Sequence, residues 1–170
     1  MGKLFYGTMT GNTTSVAEAI QAALPELIEE IKCIDKAKAE EIQACDFLIF
    51  GGSTWGDGEL TDDWADFLPQ FDRIDLKGKK VALFALGDQV GYTYNFVSAM
   101  KEIYDKVKER GGQVVANCVS TEGFDFSHSA SVVAGKFVGL VIDEVNEPDL
   151  TSDRISVWAE LVRQEVLSAV

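Results

Sequence analysis

Three short runs of this chain are apolar at every position: residues 4–6, 47–50 and 81–86. Unbroken apolar runs of this length predict strands that are buried on both faces of a sheet. Residues 28–34 alternate imperfectly between apolar and polar side chains, which predicts a less buried strand, and a further strand is predicted to begin at Val114 and run to Val119. The pattern therefore predicts five strands.

Between these runs, apolar residues recur every three or four positions, which is the spacing of one face of a helix. The first predicted helix begins near Thr13 and ends at Pro25, because proline interrupts helical hydrogen bonding. Further helices are predicted at residues 36–44, 62–71 and 96–110, and around 155–162. Strands and helices thus alternate along the whole chain.

This alternation predicts an α/β fold, a doubly wound five-stranded parallel sheet with helices on both faces. The common strand order is 2-1-3-4-5, and ligands bind beyond the carboxyl ends of the strands where that order reverses. We therefore expect the functional residues directly after Tyr6, Phe50 and Leu86. Residues 1–170 are expected to form one domain, whose last strand is interrupted by a long loop at residues 120–136.

Net charge adds a constraint on partners, because 15 basic and 28 acidic residues give −13. Such a surface repels nucleic acid and anionic membranes and suits steering toward a basic protein, although solubility alone explains the charge equally well. The three cysteines are widely spaced, without a C-x-x-C pair, which indicates buried thiols in a reducing compartment rather than disulfides or a metal site. With no signal peptide and no apolar run of about 20 residues, we expect a cytoplasmic protein.

The segment after the first strand, residues 7–14 (GTMTGNTT), leads through glycines and hydroxyl residues into the first helix. Unpaired N–H groups at a helix start favour an anion. No lysine or arginine lies between Lys3 and Lys32, so neutral donors would hold a single phosphate rather than a triphosphate. The alternative is a simple capping segment with no ligand.

Aromatic residues follow the other two strands. Trp55 lies in residues 51–60 (GGSTWGDGEL), outside any apolar periodicity, and is a candidate surface for stacking on a planar ring, unless it covers the following helix. Residues 87–96 (GDQVGYTYNF) carry Tyr92 and Tyr94 beside Asp88, whose carboxylate can accept a hydrogen bond from a ring N–H. One phosphate site and two aromatic loops at one edge predict a flat heterocycle that carries one phosphate.

These three segments, in this order and spacing, resemble the flavin-binding loops of flavodoxins, and residues 121–144 resemble the insertion of the long-chain subclass. The resemblance implies FMN, with its phosphate on residues 8–13, its ring between Trp55 and Tyr92, the 56–57 peptide near flavin N5 and the Asp88 turn near the pyrimidine edge. The implied cofactor-binding residues are Thr8, Met9, Thr10, Gly11, Asn12, Thr13, Ser53, Thr54, Trp55, Gly56, Asp57, Gly58, Gly87, Asp88 and Tyr92. No catalytic or metal-binding residue is implied.

Some residues depart from the family pattern. The pair at 56–57 resembles short-chain members, Met9 replaces a polar residue, and Tyr94 is a second candidate for stacking. A glycine at 56 suits a peptide that turns over when flavin N5 gains a proton, because glycine tolerates both conformations. His128 is the only histidine, and without a second ligand nearby we expect a surface residue rather than a metal ligand.

The function implied is a soluble, low-potential one-electron carrier that turns over no substrate of its own. Residues 39–72 hold nine acids and no basic residue, and negative potential disfavours the fully reduced, anionic flavin. The expected partners are basic redox proteins, such as a flavodoxin/ferredoxin–NADP reductase, and an acceptor that the sequence does not name. The acids from Asp57 to Asp66, with Asp63 and Asp66 chosen for charge reversal, are expected to draw such a partner to a monomeric carrier.

Two other functions fit parts of the pattern. An FMN-dependent quinone or nitro reductase of related fold would accept hydride from a nicotinamide cofactor and would need a substrate cavity. A phosphoacceptor receiver of the same topology would need acids after the first and third strands to hold Mg²⁺, whereas Thr8 and Thr10 follow the first strand. The loop at residues 120–136 is expected either to contact a partner or to complete the fold.

Overall fold

The computed structural model describes residues 2–8, 11–55 and 58–167, and of Trp55 it describes the backbone alone. In chain order its strands and helices are β1 (Gly2–Gly7), α1 (Asn12–Ala23), β2 (Ile28–Cys33), α2 (Ala39–Gln43), β3 (Phe47–Trp55), β4 (Glu59–Leu60), α3 (Asp62–Phe67), β5 (Lys80–Leu86), α4 (Met100–Glu109), β6 (Gln113–Val114), β7 (Val132–Val133), β8 (Lys136–Phe137), β9 (Leu140–Ile142) and α5 (Thr151–Leu167). Within these residues, no helix is both long enough and apolar enough to cross a membrane.

The main sheet is parallel, with the order β2-β1-β3-β5, and its last position is shared by two short strands. β6 pairs with the start of β5, where Val81 lies opposite Val114, and β9 pairs with its end, where Phe84 lies opposite Leu140. The intervening residues 115–139, here called the insertion, leave the sheet and return to it. The doubly wound fold, its strand order and its interrupted last strand are therefore confirmed.

Both faces of the sheet are buried, because successive side chains of each central strand enter different apolar clusters. On β5, Val81 and Leu83 join the cluster that includes α3 and α4, whereas Ala82 and Phe84 join the cluster beneath α1 and α5. This two-sided burial explains why the central strands read as unbroken apolar runs.

Two predicted helices are shorter than their apolar spacing suggested. The helix predicted at 62–71 ends at Phe67 and continues as a 3-10 turn (Leu68–Arg73), because Pro69 has no N–H for the next helical hydrogen bond. The helix predicted from residue 96 begins at Met100 instead. Val97 has a φ of 48°, which lies outside the right-handed helical region.

The strand predicted at 114–119 was also too long. The chain leaves the sheet after β6, because Ala116 takes a φ of 51° and its N–H bonds the Glu165 carboxylate at 2.7 Å. Within the insertion, β7 and β8 form a hairpin, whose turn residues Ala134 and Gly135 both have positive φ. The hairpin lies in a stretch for which the sequence predicted no regular structure.

The insertion packs against the segment that follows β5. The Phe137 ring lies 5.4 Å from that of Phe124, 5.5 Å from that of Phe126 and 6.1 Å from that of Phe96, measured between ring centres. Backbone hydrogen bonds join the same two segments, including one from Phe96 N–H to the His128 carbonyl at 3.2 Å. These contacts support the second of the two expected roles, completion of the fold, around residues 88–98.

Candidate functional site

The ends of β1, β3 and β5 lie side by side in the sheet. Gly7 is opposite Gly52, and Ser53 is opposite Leu86, so the segments after these strands start at one edge. We call them the first loop (residues 8–12), the second loop (residues 55–58) and the third loop (residues 87–99). The structure thus brings the three predicted segments together at the carboxyl edge of the sheet.

The first loop ends at an uncapped helix start. Gly11 has a φ of 90°, a conformation that favours glycine, and among the described residues no side chain caps the first turn of α1. That turn also contains no acidic residue, and a Cβ built on Gly11 would meet no atom within 4 Å. Gly11 and Asn12 are exposed. Among the described residues, the helix start therefore offers first-turn N–H groups, a dipole and open space that suit a phosphate.

Thr8 and Thr13 have different surroundings from these two residues. The Thr8 hydroxyl accepts a hydrogen bond from the Gly11 N–H at 2.9 Å, which closes the first loop. Thr13 is fully buried, and its hydroxyl lies 2.8 Å from that of Ser53 at the end of β3. Thr13 therefore joins the first loop to the neighbouring strand, and the accessible part of the helix start is Gly11 and Asn12.

A carboxylate that the sequence placed among partner-facing acids instead holds the first loop. Asp63 accepts the Thr8 N–H at 2.9 Å through one oxygen, and through the other it accepts the Trp64 N–H at 2.8 Å and the Thr61 hydroxyl. The Cys33 thiol approaches the first of these oxygens at 3.6 Å. The side chain of Asp63 is half-buried. Charge reversal at Asp63 would therefore damage the site and does not test docking.

The end of β3 and the second loop both contact the third loop. The Ala99 N–H donates to the Thr54 hydroxyl at 3.3 Å. Gly58 has a φ of 89°, and a Cβ built there would lie 3.2 Å from the Cβ of Asn95 and 3.3 Å from that of Ser98. This close approach requires glycine at position 58. The contacts, together with the bond between Thr13 and Ser53, join all three loops.

The third loop presents its two tyrosines to solvent. Tyr92 is 50% exposed and Tyr94 is 75% exposed, so the surrounding protein covers more of Tyr92 than of Tyr94. Gly87 packs against Phe96 and Val97. The Asp88 carboxylate accepts the N–H groups of Val90 at 3.1 Å and Gly91 at 2.8 Å. In this structure Asp88 therefore shapes its own turn.

Some predicted residues lie outside the described residues: Met9, Thr10, Gly56, Asp57 and the side chain of Trp55. The fit of a planar ring therefore rests on Tyr92 and on the closeness of the second and third loops. The fit of a phosphate rests on the start of α1. Both observations agree with the cofactor that the sequence implied.

Sequence reasoning missed a set of polar residues behind the third loop, centred on Gln89 and Asp143. Asp143 is fully buried. Burial alone raises the pKa of its carboxyl group, but hydrogen bonds from Asn146 and Gln89 together outweigh burial and hold that pKa below its ordinary value. Gln89 and Asp143 are 54 positions apart, so no local sequence pattern connects them.

The nine acids at residues 39–72 are not equally free to interact with a partner. Glu41 pairs with Lys32 at 2.5 Å, and Asp72 lies 3.7 Å from the Lys106 ammonium group. Glu59, Asp62 and Asp66 are exposed near the second loop. Among the described acids of residues 39–72, these three are exposed and close in sequence to the second loop.

Two further features lie apart from the site. A cavity of about 430 Å³ lies between the insertion and α5, lined by Val119, Phe124, Val157 and Trp158 among others, and it includes none of the predicted cofactor residues. Within the described ranges, 2–8, 11–55 and 58–167, no three metal-binding side chains converge. The three loops therefore remain the site to be explained.

Comparisons with known proteins agree with this geometry. A family model described as Flavodoxin matches residues 4–158. The chain is 44% identical to the flavodoxin of Synechococcus elongatus over 163 residues, which is 95% of each protein, and 44% identical to that of Synechocystis over 94% of each. The crystal structure of Fusobacterium nucleatum flavodoxin bound to flavin mononucleotide superposes with a TM-score of 0.88 at 31% identity, covering 96% of this chain and 97% of that one.

Proposed function

Because the chain belongs to the flavodoxin family, we propose that it binds one FMN non-covalently and carries single electrons between redox proteins. Flavodoxins are electron-transfer proteins, not enzymes with a substrate of their own. When bound, FMN supplies the redox chemistry, and the protein supplies binding, orientation and electrostatics. The uncapped start of α1 beside two aromatic loops is the observation that carries the proposal.

Each of the three loops would hold a different part of FMN. Gly11 and Asn12, with the other residues of 8–13, would hold the phosphate through neutral donors and the dipole of α1. Tyr92 would cover one face of the ring, Trp55 the other, and Gly58 would keep the second loop against the third. Thr13, Ser53 and Thr54 would fix the distances between these parts.

The finer parts of the proposal concern potential, partners and location. Glu59, Asp62 and Asp66 at the site edge disfavour an additional negative charge on the ring, which makes the carrier a stronger reductant. The same charges suit a basic reductase of the flavodoxin/ferredoxin–NADP type as electron donor. All three thiols, at Cys33, Cys45 and Cys118, are free, which supports a cytoplasmic location, and we infer that the carrier acts as a monomer.

The proposal is tested by titrating the apoprotein with FMN and with riboflavin and following the loss of flavin fluorescence. FMN should bind one to one, and riboflavin should bind far more weakly, because it leaves the start of α1 without an anion. Equal affinities for FMN and riboflavin would show that this helix start holds no phosphate.

The ring site has its own matched pair of variants. Tyr92→Ala should weaken FMN binding and restore part of the flavin fluorescence, whereas Tyr94→Ala, which removes the more exposed ring, should leave both nearly unchanged. The opposite ranking would assign stacking to Tyr94.

If the second function, a quinone or nitro reductase, were correct, NADPH alone would reduce the bound flavin at a catalytic rate.

A further inference from the structure

Gln89 lies in the third loop with its side chain turned away from solvent, since only 4% of the residue is exposed. Its amide nitrogen donates to the Asp143 carboxylate at 2.8 Å and to the Glu147 carboxylate at 2.7 Å. Its amide oxygen accepts the Asp125 N–H at 2.7 Å. The orientation of the amide is thereby fixed, because two carboxylates face the nitrogen and a donor faces the oxygen.

These three bonds join segments that are distant in the chain. Asp143 and Glu147 lie between β9 and α5, Asp125 belongs to the insertion, and Gln89 itself follows β5. The Gln89 N–H adds a fourth bond, to Asp143 at 3.1 Å. One side chain of the third loop thus holds that loop to the two segments behind it.

Asn146 extends the connection to the turn that carries the aromatic residues. Its amide nitrogen lies 2.9 Å from the Asp143 carboxylate and 2.7 Å from that of Asp88. Asp88 in turn accepts the N–H of Gly91, the residue before Tyr92. The buried carboxylate of Asp143 is therefore linked to the predicted ring-stacking residue through a short series of hydrogen bonds.

Every hydrogen-bonding group of the Gln89 amide has a partner, and the Asp143 carboxylate accepts five donors from Gln89, Asn146 and Val145. A fully paired buried network fixes one arrangement, because any displaced member leaves a buried polar group without a partner. We propose that Gln89 is the positioning residue of the cofactor site, which acts through the third loop to set FMN affinity. This inference rests on the proposed function and adds a residue outside the cofactor-binding set that the sequence implied.

Gln89→Glu is the informative substitution because it keeps the size of the side chain and exchanges the amide nitrogen for an oxygen. When ionised, the new carboxylate would face those of Asp143 and Glu147, and like charges at this distance raise each other's pKa. The other charged residues beside this network are Asp88, Asp125, whose N–H donates to Gln89, and Arg154, whose guanidinium lies 3.0 Å from Glu147. When protonated, the new carboxyl group can again donate one of the two hydrogen bonds that the amide nitrogen gives.

The experiment measures FMN dissociation constants of the Gln89→Glu and wild-type apoproteins between pH 5 and pH 8. Their ratio at each pH cancels the titration of the FMN phosphate. We expect the variant to bind about tenfold or more weakly at pH 8, as expected for lost hydrogen bonds to charged groups, and to approach the wild type at pH 5. Gln164→Glu, which makes the same charge change at an exposed position of α5, should give a ratio near one throughout.

Hydrogen exchange of the apoproteins gives a second readout that needs no cofactor. At one pH, the amides of Gly91 and Tyr92 should exchange faster in Gln89→Glu than in Gln164→Glu, because the third loop has lost its attachment. A ratio of FMN affinities that is flat with pH, or equal exchange in the two variants, overturns the inference. If the wild-type protein binds FMN and riboflavin equally, the proposed phosphate site is overturned instead. The hydrogen-exchange comparison still tests the role of Gln89 in that case, because it needs no cofactor.

If Gln89→Glu does not fold, Asn146→Ala replaces it, since that change removes only the bridge between Asp143 and Asp88. We expect weaker FMN binding, by a smaller factor, and faster exchange at Gly91. Unchanged values of both quantities in Asn146→Ala overturn the inference in that case.

Discussion

The three thiols of the chain have different surroundings, and these predict their reactivity. Burial, with the neighbouring Asp35, raises the pKa of Cys33 to about 11, and burial also raises the pKa of Cys45, whereas Cys118 is exposed. Because the thiolate is the reacting form, iodoacetamide at about pH 8 should modify Cys118 alone in the folded protein. Peptide mass spectrometry checks this, with Cys118→Ser as the control. Equal labelling of Cys33 would contradict the structure.

Asp143 should make the stability of the apoprotein depend on pH in the acid range. Its pKa is lower in the folded protein than in the unfolded chain, so the unfolded chain takes up the proton first. Its contribution is therefore present above about pH 4, the ordinary value for aspartate, and is lost as the pH falls through the folded pKa. Asp143→Asn should destabilise by about 2 kcal/mol or more at pH 7 and by progressively less below pH 4.

Urea unfolding of the wild type and of Asp143→Asn, measured from pH 7 to pH 3, tests this prediction. Asp149→Asn is the control, because Asp149 is exposed and, like Asp143, lies in the segment between β9 and α5. A difference between wild type and Asp143→Asn that stays constant over the whole range would show that the carboxylate is not the group whose proton uptake matters.

Among the elements, the insertion depends on Phe137, which is fully buried among three other rings. Phe137→Ala should lower the free energy of unfolding by about 3–5 kcal/mol, the usual cost of a large cavity. Phe126→Ala removes a half-buried ring of the same cluster and should cost clearly less. Urea unfolding of the two variants compares them, and equal costs would mean that the insertion is not packed as described.

The elements also show where sequence patterns suffice. The central strands follow from unbroken apolar runs, because burial on both faces leaves no polar position in them. The start of α4 could not be found in the same way. Apolar spacing runs on through residues 96–99, but the left-handed backbone at Val97 and the bonds from the insertion prevent a helix there.

The candidate site likewise has a part that sequence patterns predict and a part that they do not. Its three loops follow local rules, namely glycines, hydroxyl residues and aromatics at strand ends, and the structure places these segments at the ends of β1, β3 and β5. Asp63 and Gln89 act through partners 55 and 54 positions away, at Thr8 and Asp143, and no local pattern reveals such pairs. The sequence alone therefore assigns Asp63 to partner docking, whereas its hydrogen bond to the Thr8 N–H shows that it holds the first loop.

At the scale of the whole molecule, the charge of −13 predicts how fast a basic partner is met. Electron transfer from a basic reductase should slow by about tenfold from low to moderate ionic strength, as the screening length falls toward ~8 Å. Asp62→Lys with Asp66→Lys should reduce both the rate and its salt dependence, while FMN affinity stays nearly unchanged. Stopped-flow reduction at several salt concentrations measures this.

The matched control places the same charge change at the opposite edge of the sheet, through Glu29→Lys with Glu109→Lys. Both residues are exposed, Glu29 near the start of β2 and Glu109 at the end of α4. If the total charge alone mattered, the two double variants would behave alike. Rates that are insensitive to salt and to either pair would leave solubility as the explanation of the charge.

The division of the last strand also bears on the order in which parts of the fold can form while the chain is being synthesised. β6 ends 25 residues before the end of the insertion, and it can already pair with the start of β5. The end of β5 already lies beside β3, but it gains a neighbour on its other side only when β9 has been made. Gln89 gains its carboxylate acceptors only at Asp143 and Glu147. On the ribosome, most of the sheet can therefore assemble while the third loop is still without its support, and the cofactor site is completed among the last parts of the molecule.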